Sequence, residues 1–294
     1  MSTILSVAAT AAQRLALPTL SALVGSTDNN VILLKGLLNA SIQQVKNEFP
    51  WPELTKEYTF TLSSGVASYA LPSDFNTFVA ETYWNRTSAW PITSVNSSEW
   101  QGYKSGLVAS IPRQRFRIKG FTTKQFFVDP TPGSDDDGDT VVFEYISNIA
   151  VRPITWTAST SFSGIRYCFY EGNFYDRGGT GAATSGTTAP THTTGSASDG
   201  TITWTYYLDD QSLLSFNYDS DELILDPEMI AADLIWRFKR EREFDYKEHQ
   251  QEAMRLIEDA KTALIPAEVV SIRGNRGLGL PIGPWSYPEG NYGL

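Results

Sequence analysis

The 294-residue chain contains almost no cysteine and very little histidine. Cys168 is the single cysteine, and His192 and His249 are the two histidines. An internal disulfide and a cysteine-based metal site are therefore excluded. Basic charge is also scarce, because 23 Lys and Arg stand against 33 Asp and Glu and give a formal net charge of −10. A protein that holds duplex DNA by neutralising its phosphates needs the opposite balance.

Long hydrophobic runs and catalytic signatures are missing as well. No apolar run approaches the ~18 residues of a membrane span, and the start of the chain lacks the basic region of a signal peptide. No phosphate-binding loop, dinucleotide fingerprint or nucleophile elbow is present. The sequence therefore predicts no cofactor, no metal ion, no membrane contact and no enzymatic activity. One alternative stays open, because Asp209-Asp210 and Asp219-Asp221-Glu222 could supply paired carboxylates for glycoside hydrolysis.

Helical periodicity marks both ends of the chain. Thr3 is expected to cap a short helix, and Thr27 or Asp28 is expected to cap a longer helix over 30–49. Asp226, followed by Pro227, begins a pair of helices that reaches residue 264. Apolar residues recur in steps of three and four, so each helix has one face that must be covered. We expect the C-terminal pair to form a hairpin that packs on the helix at 30–49 and on a central sheet.

Alternating apolar and polar residues predict strands in the middle of the chain. The predicted strands cover residues 58–62, 78–84, 115–119, 125–129 and 140–146, with a further strand that ends at Tyr69-Ala70-Leu71-Pro72. Asn96 and Glu99 predict the capping box of a short helix over 97–104. The predicted fold class is therefore α+β. In it, a helical bundle of the N-terminal helices and the C-terminal hairpin surrounds a small antiparallel sheet.

Two charged motifs in this region allow more than one interpretation. Arg113, Arg115, Arg117 and Lys119 alternate on a predicted strand and would share one face. That face could contact a phosphate backbone, an acidic surface of a partner, or only solvent. The acidic run from Ser134 to Asp139 resembles half of a calcium-binding loop, but a solvated hairpin turn explains it better, because the downstream Glu of an EF-hand is missing.

Two further segments differ in composition from residues 1–152 and 208–271, which we expect to form the core domain. Residues 153–207 are rich in Gly, Ser, Thr and aromatic residues, and they predict an inserted β mini-domain. Residues 272–294 contain repeated Gly and Pro together with Trp285, Tyr287 and Tyr292. Gly and Pro disfavour a helix, and aromatic residues commonly anchor interfaces, so this segment predicts an extended docking arm.

The order of several short motifs resembles the head-to-tail adaptor (connector, head-completion) proteins of short-tailed bacteriophages. The motifs are Phe49-Pro50-Trp51-Pro52, Tyr69-Ala70-Leu71-Pro72-Ser73-Asp74-Phe75, Trp84-Asn85-Arg86-Thr87-Ser88-Ala89-Trp90-Pro91-Ile92, Glu99-Trp100-Gln101, Phe116-Arg117-Ile118-Lys119-Gly120, Val128-Asp129-Pro130-Thr131-Pro132, Phe143-Glu144-Tyr145-Ile146-Ser147, Leu223-Ile224-Leu225-Asp226-Pro227-Glu228 and Leu234-Ile235-Trp236-Arg237-Phe238. The likeness covers roughly residues 49–149 and 212–264, which is more than half of the chain.

This resemblance implies a structural virion protein at the head–tail junction, assembled in the cytoplasm of the bacterial host. It implies self-association into a ring of twelve subunits that joins the portal protein to a tail protein, the nozzle or tail hub. Genomic DNA would pass through the ring during ejection without specific binding. The family has no shared catalytic motif, although one related adaptor is credited with cell-wall hydrolysis. A peptidoglycan hydrolase and a glycan-binding virion protein are therefore the alternatives.

The insert departs from the short family pattern. It resembles modules appended to many phage proteins and also small chitinase-type carbohydrate-binding modules, through segments such as Trp156-Thr157-Ala158-Ser159-Thr160 and Asp199-Gly200-Thr201-Ile202-Thr203-Trp204. The resemblance implies that Trp156, Tyr175 and Trp204 contact a glycan or a neighbouring subunit. A decoration without a binding role is the third interpretation.

Overall fold

A computed structural model of the protein describes residues 2–106, 114–120, 123–207 and 215–264. The chain divides into two compact units. Among the described residues, the first lies within Met1–Thr55, Ser73–Asn76 and Ile146–Leu264, and the second lies within Lys56–Pro72 and Thr77–Tyr145. Below, the first is the helical unit, which includes the insert (residues 153–207), and the second is the β unit.

The described residues contain five α-helices and sixteen strands. They are β1 (Ser2–Thr3), α1 (Ile4–Arg14), α2 (Asn29–Glu48), β2 (Thr55–Thr61), β3 (Ser68–Ala70), β4 (Phe75–Phe78), β5 (Trp84–Asn85), β6 (Trp90–Pro91), β7 (Thr93–Ser94), α3 (Ser97–Lys104), β8 (Arg115–Lys119), β9 (Gln125–Asp129), β10 (Thr140–Ser147), β11 (Val151–Arg152), β12 (Tyr167–Tyr170), β13 (Asn173–Asp176), β14 (Ser196–Asp199), β15 (Ile202–Tyr207), β16 (Glu222–Leu223), α4 (Pro227–Glu241) and α5 (Lys247–Leu264). A short 3-10 turn, Pro52–Leu54, lies between α2 and β2.

The helices begin where the capping residues predict. The side chain of Thr3 accepts a hydrogen bond from Ser6 N, and the side chain of Asp28 accepts one from Asn30 N at 2.7 Å. The carboxylate of Asp226 accepts one from Glu228 N at 2.8 Å, with Pro227 at the first helical position. These bonds satisfy backbone donors that have no partner inside a helix. The predicted caps at these three residues are therefore confirmed.

Helix α4 is the centre of the helical unit. It contacts α1, α2 and α5, and its buried residues run from Met229 to Phe238 on almost every side of the helix. In contrast, only Ala253 and Ile257 of α5 are buried. The predicted packing of α4 on α2 is confirmed, and α4 and α5 contact each other as expected of a hairpin. Helix α5 is therefore an outer helix of this layer.

A three-stranded sheet pairs the strand directly before the insert with a strand that follows the insert in the chain. Strand β16 lies between β1 and β11, and both pairings are antiparallel. In this sheet Val151 pairs with Leu223, and Arg152 pairs with Glu222. The guanidinium of Arg152 also donates to the Glu222 carboxylate, at 3.0 Å from Nε and 2.9 Å from Nη2. Arg152, the residue before the insert, therefore lies beside Glu222, which follows the insert in the chain.

The insert contains a four-stranded antiparallel sheet of its own, in the order β12-β13-β15-β14. Its core consists of Trp156, Phe162, Cys168, Tyr175, Ile202 and Trp204. The Asp199 carboxylate is buried in this core and accepts from Trp156 Nε1 at 3.0 Å and Trp204 Nε1 at 3.4 Å. The prediction that residues 153–207 contain short strands with an aromatic core is confirmed.

The β unit is built on two sheets. One has the order β2-β10-β5-β6, with β4 also paired to β10, and the other has the order β3-β9-β8-β7. Aromatic rings fill the space between them, because Phe126 of β9 stacks on Phe116 of β8 with ring centroids 4.2 Å apart and on Phe143 of β10 at 5.7 Å. The predicted strands at Arg115–Lys119 and Gln125–Asp129 are confirmed.

The predicted fold class is wrong. We expected a helical bundle around one small antiparallel sheet, whereas the strands of the described residues form four separate sheets and the helices pack on one another. The physical reason is that hydrophobic alternation identifies a strand but does not identify its partner. The predicted strand at 78–84 is also wrong, because the chain turns at Glu81, where φ is 63°, and separates β4 from β5.

Candidate interaction surfaces

A groove of about 580 Å³ lies on the helical unit among α2, α4 and α5. Trp236 and Ile257 form its floor and are each only 8% exposed. Met254 lies on its edge and is 58% exposed. An apolar floor beside an exposed methionine is typical of a protein contact surface, since methionine adapts its shape to a partner.

The floor of the groove is held by a buried carboxylate. Asp233 is 4% exposed and accepts from Trp236 Nε1 at 2.7 Å and from Arg237 Nε at 2.5 Å. The guanidinium groups of Arg237 and Arg240 lie 4.8 Å and 5.0 Å from the centre of the Trp236 ring. The indole therefore has one fixed orientation, and its polar edge is satisfied inside the protein.

A second exposed apolar surface lies beyond the end of α4. Phe244, in the connection between α4 and α5, is 61% exposed, and Ile32, in the first turn of α2, is 53% exposed. Arg242 Nη2 donates to Asn30 Oδ1, so the end of α4 lies beside the start of α2. Met254 lies about two turns into α5, roughly 10 Å along the helix from Lys247. The groove is lined by other residues than Ile32 and Phe244, so we treat the two as separate surfaces of one unit.

The aromatic residues proposed as contact residues of the insert are buried. Tyr175 and Trp204 are fully buried, and Trp156 is 8% exposed. They belong to the hydrophobic core of the insert, so their rings do not offer the open faces that stacking on a sugar requires. The alternation in Thr201-Ile202-Thr203-Trp204-Thr205 already indicated this arrangement, because the apolar residues of an alternating strand face the core. The exposed face of β14 and β15 instead carries hydroxyl groups, as in the 2.9 Å contact between Ser196 and Thr205.

Helix α3 covers the basic strand β8. Arg115 pairs with Asp129 at 2.7 Å, and its guanidinium lies 3.5 Å from the centre of the Tyr103 ring. Lys119 lies over the Trp100 ring at 4.3 Å. The predicted capping box of α3 is confirmed at Asn96 and Glu99. These basic side chains are used within the β unit, which favours a structural role for them over a phosphate contact.

Several candidate residues lie outside the described part of the chain. These are Trp285, Tyr287 and Tyr292 of the predicted arm, Asp209-Asp210 and Arg113. The second set of candidate carboxylates, Asp219-Asp221-Glu222, has structural partners. Asp219 accepts hydrogen bonds from Leu23 N and Val24 N, and Asp221 accepts them from Asn217 N and Tyr218 N. Glu222 forms an ion pair with Arg152. In the described ranges, no three His, Cys, Asp or Glu residues are grouped as metal ligands. None of the helices described is long and apolar enough to cross a membrane.

The acidic turn at 134–139 supports a structural interpretation. Asp137 Oδ1 accepts from Ser64 N at 2.8 Å, and Asp136 Oδ2 accepts from Gly133 N at 3.1 Å. Gly138 has a φ of 88°, the left-handed conformation that glycine adopts without strain. The carboxylates therefore cap backbone donors of a turn, as the hairpin interpretation predicts.

Burial raises the pKa of Asp221 from 3.8 to about 6, and the negative charge of Asp219 adds to this, although two backbone N–H donors oppose it. The folded state therefore holds this proton more tightly than the unfolded state. Protonation of Asp221 therefore stabilises the folded state. This stabilisation is complete below pH ~4 and is lost as the pH rises through about 6. Between pH 4 and pH 7.5 we expect the free energy of unfolding to fall by about 2–3 kcal/mol more in the natural protein than in Asp221→Asn.

Urea unfolding at both pH values measures this difference. Asp259→Asn, which removes an exposed carboxylate from α5, is the control and should follow the natural protein at both values. If the free energy of unfolding changed by the same amount with pH in the natural protein and in Asp221→Asn, the prediction would be contradicted.

Comparison with known proteins assigns the chain to a family. No curated protein sequence matches it. The family model described as SU10 adaptor protein matches residues 2–275, which is nearly the whole chain. The match includes the insert, both units and every element described above. It confirms the resemblance to phage head-to-tail adaptors, and the chain therefore belongs to the SU10 adaptor protein family.

Proposed function

We propose that this protein is a structural component of the virion of a tailed phage and forms the adaptor ring between the portal protein and the tail. The observation that carries the proposal is the family match over residues 2–275. In this role the protein has no catalytic activity and continues the DNA channel from the portal to a nozzle or tail-hub protein. Assembly takes place in the cytoplasm of the bacterial host.

The two exposed apolar surfaces of the helical unit support self-association into a ring. A closed ring of identical subunits is built from heterologous contacts, so each subunit must present two different faces. The groove around Trp236 and Met254 is one such face, and the surface at Ile32 and Phe244 is another. The same arrangement repeated twelve times is the ring that the family resemblance implies.

The charge of the protein suits a channel through which DNA moves without being held. The formal net charge is −10, and like charge removes the gain from counterion release that drives DNA binding. The basic side chains Arg115 and Lys119 are engaged by Asp129 and by the Trp100 ring inside the β unit. Genomic DNA therefore passes the ring without specific binding.

Cryo-electron microscopy of the native particle tests the proposal. We expect density that fits the helical unit and the β unit in a twelve-fold ring at the portal–tail junction. Density for the chain at any other place in the particle would overturn the adaptor assignment. Release of soluble fragments from peptidoglycan by the purified protein would support the hydrolase instead.

Residues 272–294 form a docking arm that attaches the ring to the portal. About 23 residues in extended conformation reach on the order of 75 Å, and Trp285, Tyr287 and Tyr292 supply aromatic anchors. Deletion from Gly274 onward should change the melting temperature of the free subunit by less than about 2 °C, because the deleted residues come after α5, the last helix of the described part of the chain. Attachment to portal should weaken by about tenfold or more.

Co-sedimentation of the subunit with purified portal measures this attachment. A variant in which only Trp285, Tyr287 and Tyr292 are changed to Ser keeps the length of the arm. It therefore shows whether attachment depends on the aromatic side chains or only on the presence of the arm. Unimpaired attachment of the truncated protein would rule out the arm.

A further inference from the structure

The connection between α4 and α5 holds an exposed phenylalanine in a fixed position. Phe244 N donates to Lys239 O at 2.9 Å, and Glu243 N donates to Arg240 O at 3.1 Å. These two bonds form the Schellman motif, which ends many helices and commonly packs an apolar residue back onto the helix. Here the apolar residue, Phe244, is instead 61% exposed. The motif therefore presents the Phe244 ring to the outside on an ordered backbone.

Glu243 occupies a backbone position that favours glycine. Its φ is 59°, in the left-handed region where any side chain is strained. Glycine is the common residue at this point of a Schellman motif, because it adopts the conformation without strain. The side chain of Glu243 is exposed and forms no ion pair with any other described residue. A strained residue whose carboxylate has no use within the subunit indicates a contact outside it.

The groove among α2, α4 and α5 has an unpaired cation at its apolar edge. Most of its charged residues pair with one another, as Asp233 with Arg237, Glu48 with Lys261 and Glu258 with Lys261. Arg255 and Asp259 also line the groove, but both are exposed and form no ion pair within the described part of the chain. Arg255 directly follows Met254, the exposed apolar residue of the edge. This arrangement complements Phe244 with its neighbouring carboxylate, Glu243.

The groove and the Phe244 surface face different sides of α2. Ile32 belongs to the Phe244 surface, whereas Gln44 and Glu48 line the groove. With 100° and 1.5 Å per residue, Gln44 lies about 120° around the helix and ~18 Å along it from Ile32, and Glu48 lies about 160° around and ~24 Å along. Phe244 does not line the groove of its own subunit. Contacts between two different faces continue in one direction from copy to copy until a ring closes.

We propose that Phe244 of one subunit inserts into the groove of the next copy of this chain, where it packs on Trp236 and Met254. Glu243 of the first subunit then pairs with Arg255 of the next. The groove, at about 580 Å³, has room for the ring, and methionine adapts its shape to an aromatic partner. That this contact closes the adaptor ring rests on the proposed function, whereas the fit between two copies does not.

Disulfide formation in purified particles tests the contact. The variant with both Phe244→Cys and Met254→Cys carries one cysteine on each surface, and the natural Cys168 is buried. After mild oxidation we expect covalent multimers of the chain on a non-reducing gel, whereas each single variant should stay monomeric. Dimers of Phe244→Cys alone would overturn the proposal, because copies would then meet through the same surface. Monomers alone in the double variant would also overturn it, because another partner would then fill the groove.

Charge reversal in this double-cysteine background tests the ion pair. Glu243→Arg and Arg255→Glu each place like charges opposite each other, so each should slow multimer formation by about tenfold. The two reversals together restore opposite charges and should recover the rate to within about twofold. Asp135→Arg makes the same charge change at an exposed position of the β unit and is the control. An equal loss in the control, or no recovery in the combination, would overturn the proposal.

Glu243→Gly separates the stability of the subunit from its assembly. Removal of the left-handed strain should raise the melting temperature of the free subunit by about 1–3 °C. Loss of the carboxylate should nevertheless slow multimer formation by about fivefold. Multimer formation at the natural rate would overturn the proposal. Multimers from particles whose maps show the chain away from the portal–tail junction would support the contact and overturn only the proposed function.

Discussion

Trp204→Ala is expected to unfold the insert and to leave the α1–α2–α4–α5 layer folded. Trp204 is fully buried, its ring packs edge-on against Phe162 with centroids 5.1 Å apart, and its Nε1 donates to Asp199. Loss of a buried tryptophan side chain costs about 3–5 kcal/mol. A module of about 55 residues has only a few kcal/mol of stability of its own, so this loss is sufficient to unfold it.

Hydrogen exchange followed by mass spectrometry distinguishes the insert from the helices. Peptides from 167–207 should lose protection in Trp204→Ala, whereas peptides from α4 should keep it. Thr203→Ala is the matched control, because Thr203 is the preceding residue of β15 and is exposed. It should change the free energy of unfolding by less than about 0.5 kcal/mol. Loss of protection in α4 as well would show that the insert and the helices unfold together.

Replacement of residues 153–207 with a short Gly/Ser loop extends this prediction to the whole insert. The pairing of β11 with β16 places Arg152 beside Glu222. A short loop joined to residues 208–221 can therefore close the gap. The remaining chain should be soluble, should keep its helical signal and should still bind portal. Insoluble protein would show that the insert contributes to the core of the helical unit.

Local interactions are the part of this fold that the sequence predicted well. The caps at Thr3, Asp28 and Asp226 and the capping box at Asn96 and Glu99 are contacts between residues two or three positions apart. Side-chain chemistry alone decides such contacts, because the donor and the acceptor are close in any helix start. The starts of these four helices could therefore be predicted without knowledge of the tertiary structure.

Strand pairing could not be predicted in the same way. Strand β3 pairs with β9, so Ser68 lies opposite Phe127, and β10 pairs with β5, so Val142 lies opposite Trp84. These partners are nearly 60 residues apart along the chain, and an alternating pattern fits many registers equally well. The error in fold class, one sheet instead of four, arises from this missing information.

The candidate sites could not be predicted from the sequence either, because they also depend on tertiary packing. Trp156, Tyr175 and Trp204 were predicted as contact residues of the insert but lie in its core. Residue type alone does not distinguish the two, because aromatic residues are common in both interfaces and cores. The groove on the helical unit joins residues of α2, α4 and α5, and no single segment carries the pattern. The exposure of Met254 was the informative feature, and exposure follows from tertiary packing rather than from residue type.

Asp233→Ala should destabilise the helical unit by about 3–5 kcal/mol. The Asp233 side chain is 5% exposed and forms an ion pair with Arg237, whose side chain is 13% exposed. Removal of the carboxylate leaves a guanidinium without its partner charge in a mostly buried position, and it also leaves the indole N–H of Trp236 without its acceptor. Both defects lie in the floor of the groove, so the ring contact that we propose there should weaken as well.

Urea unfolding of a small set of variants separates the ion pair from the packing around it. Asp259→Ala removes an exposed carboxylate from the same groove and should cost less than about 0.5 kcal/mol. The double variant Asp233→Leu with Arg237→Met removes both charges together, and it should recover most of the stability lost in Asp233→Ala, because apolar side chains of similar size can replace a buried ion pair. A loss below about 1 kcal/mol in Asp233→Ala would mean that water reaches Arg237 and replaces the carboxylate. Failure of the double variant to recover would place the cost in the lost acceptor of Trp236, since that N–H stays unpaired in both variants.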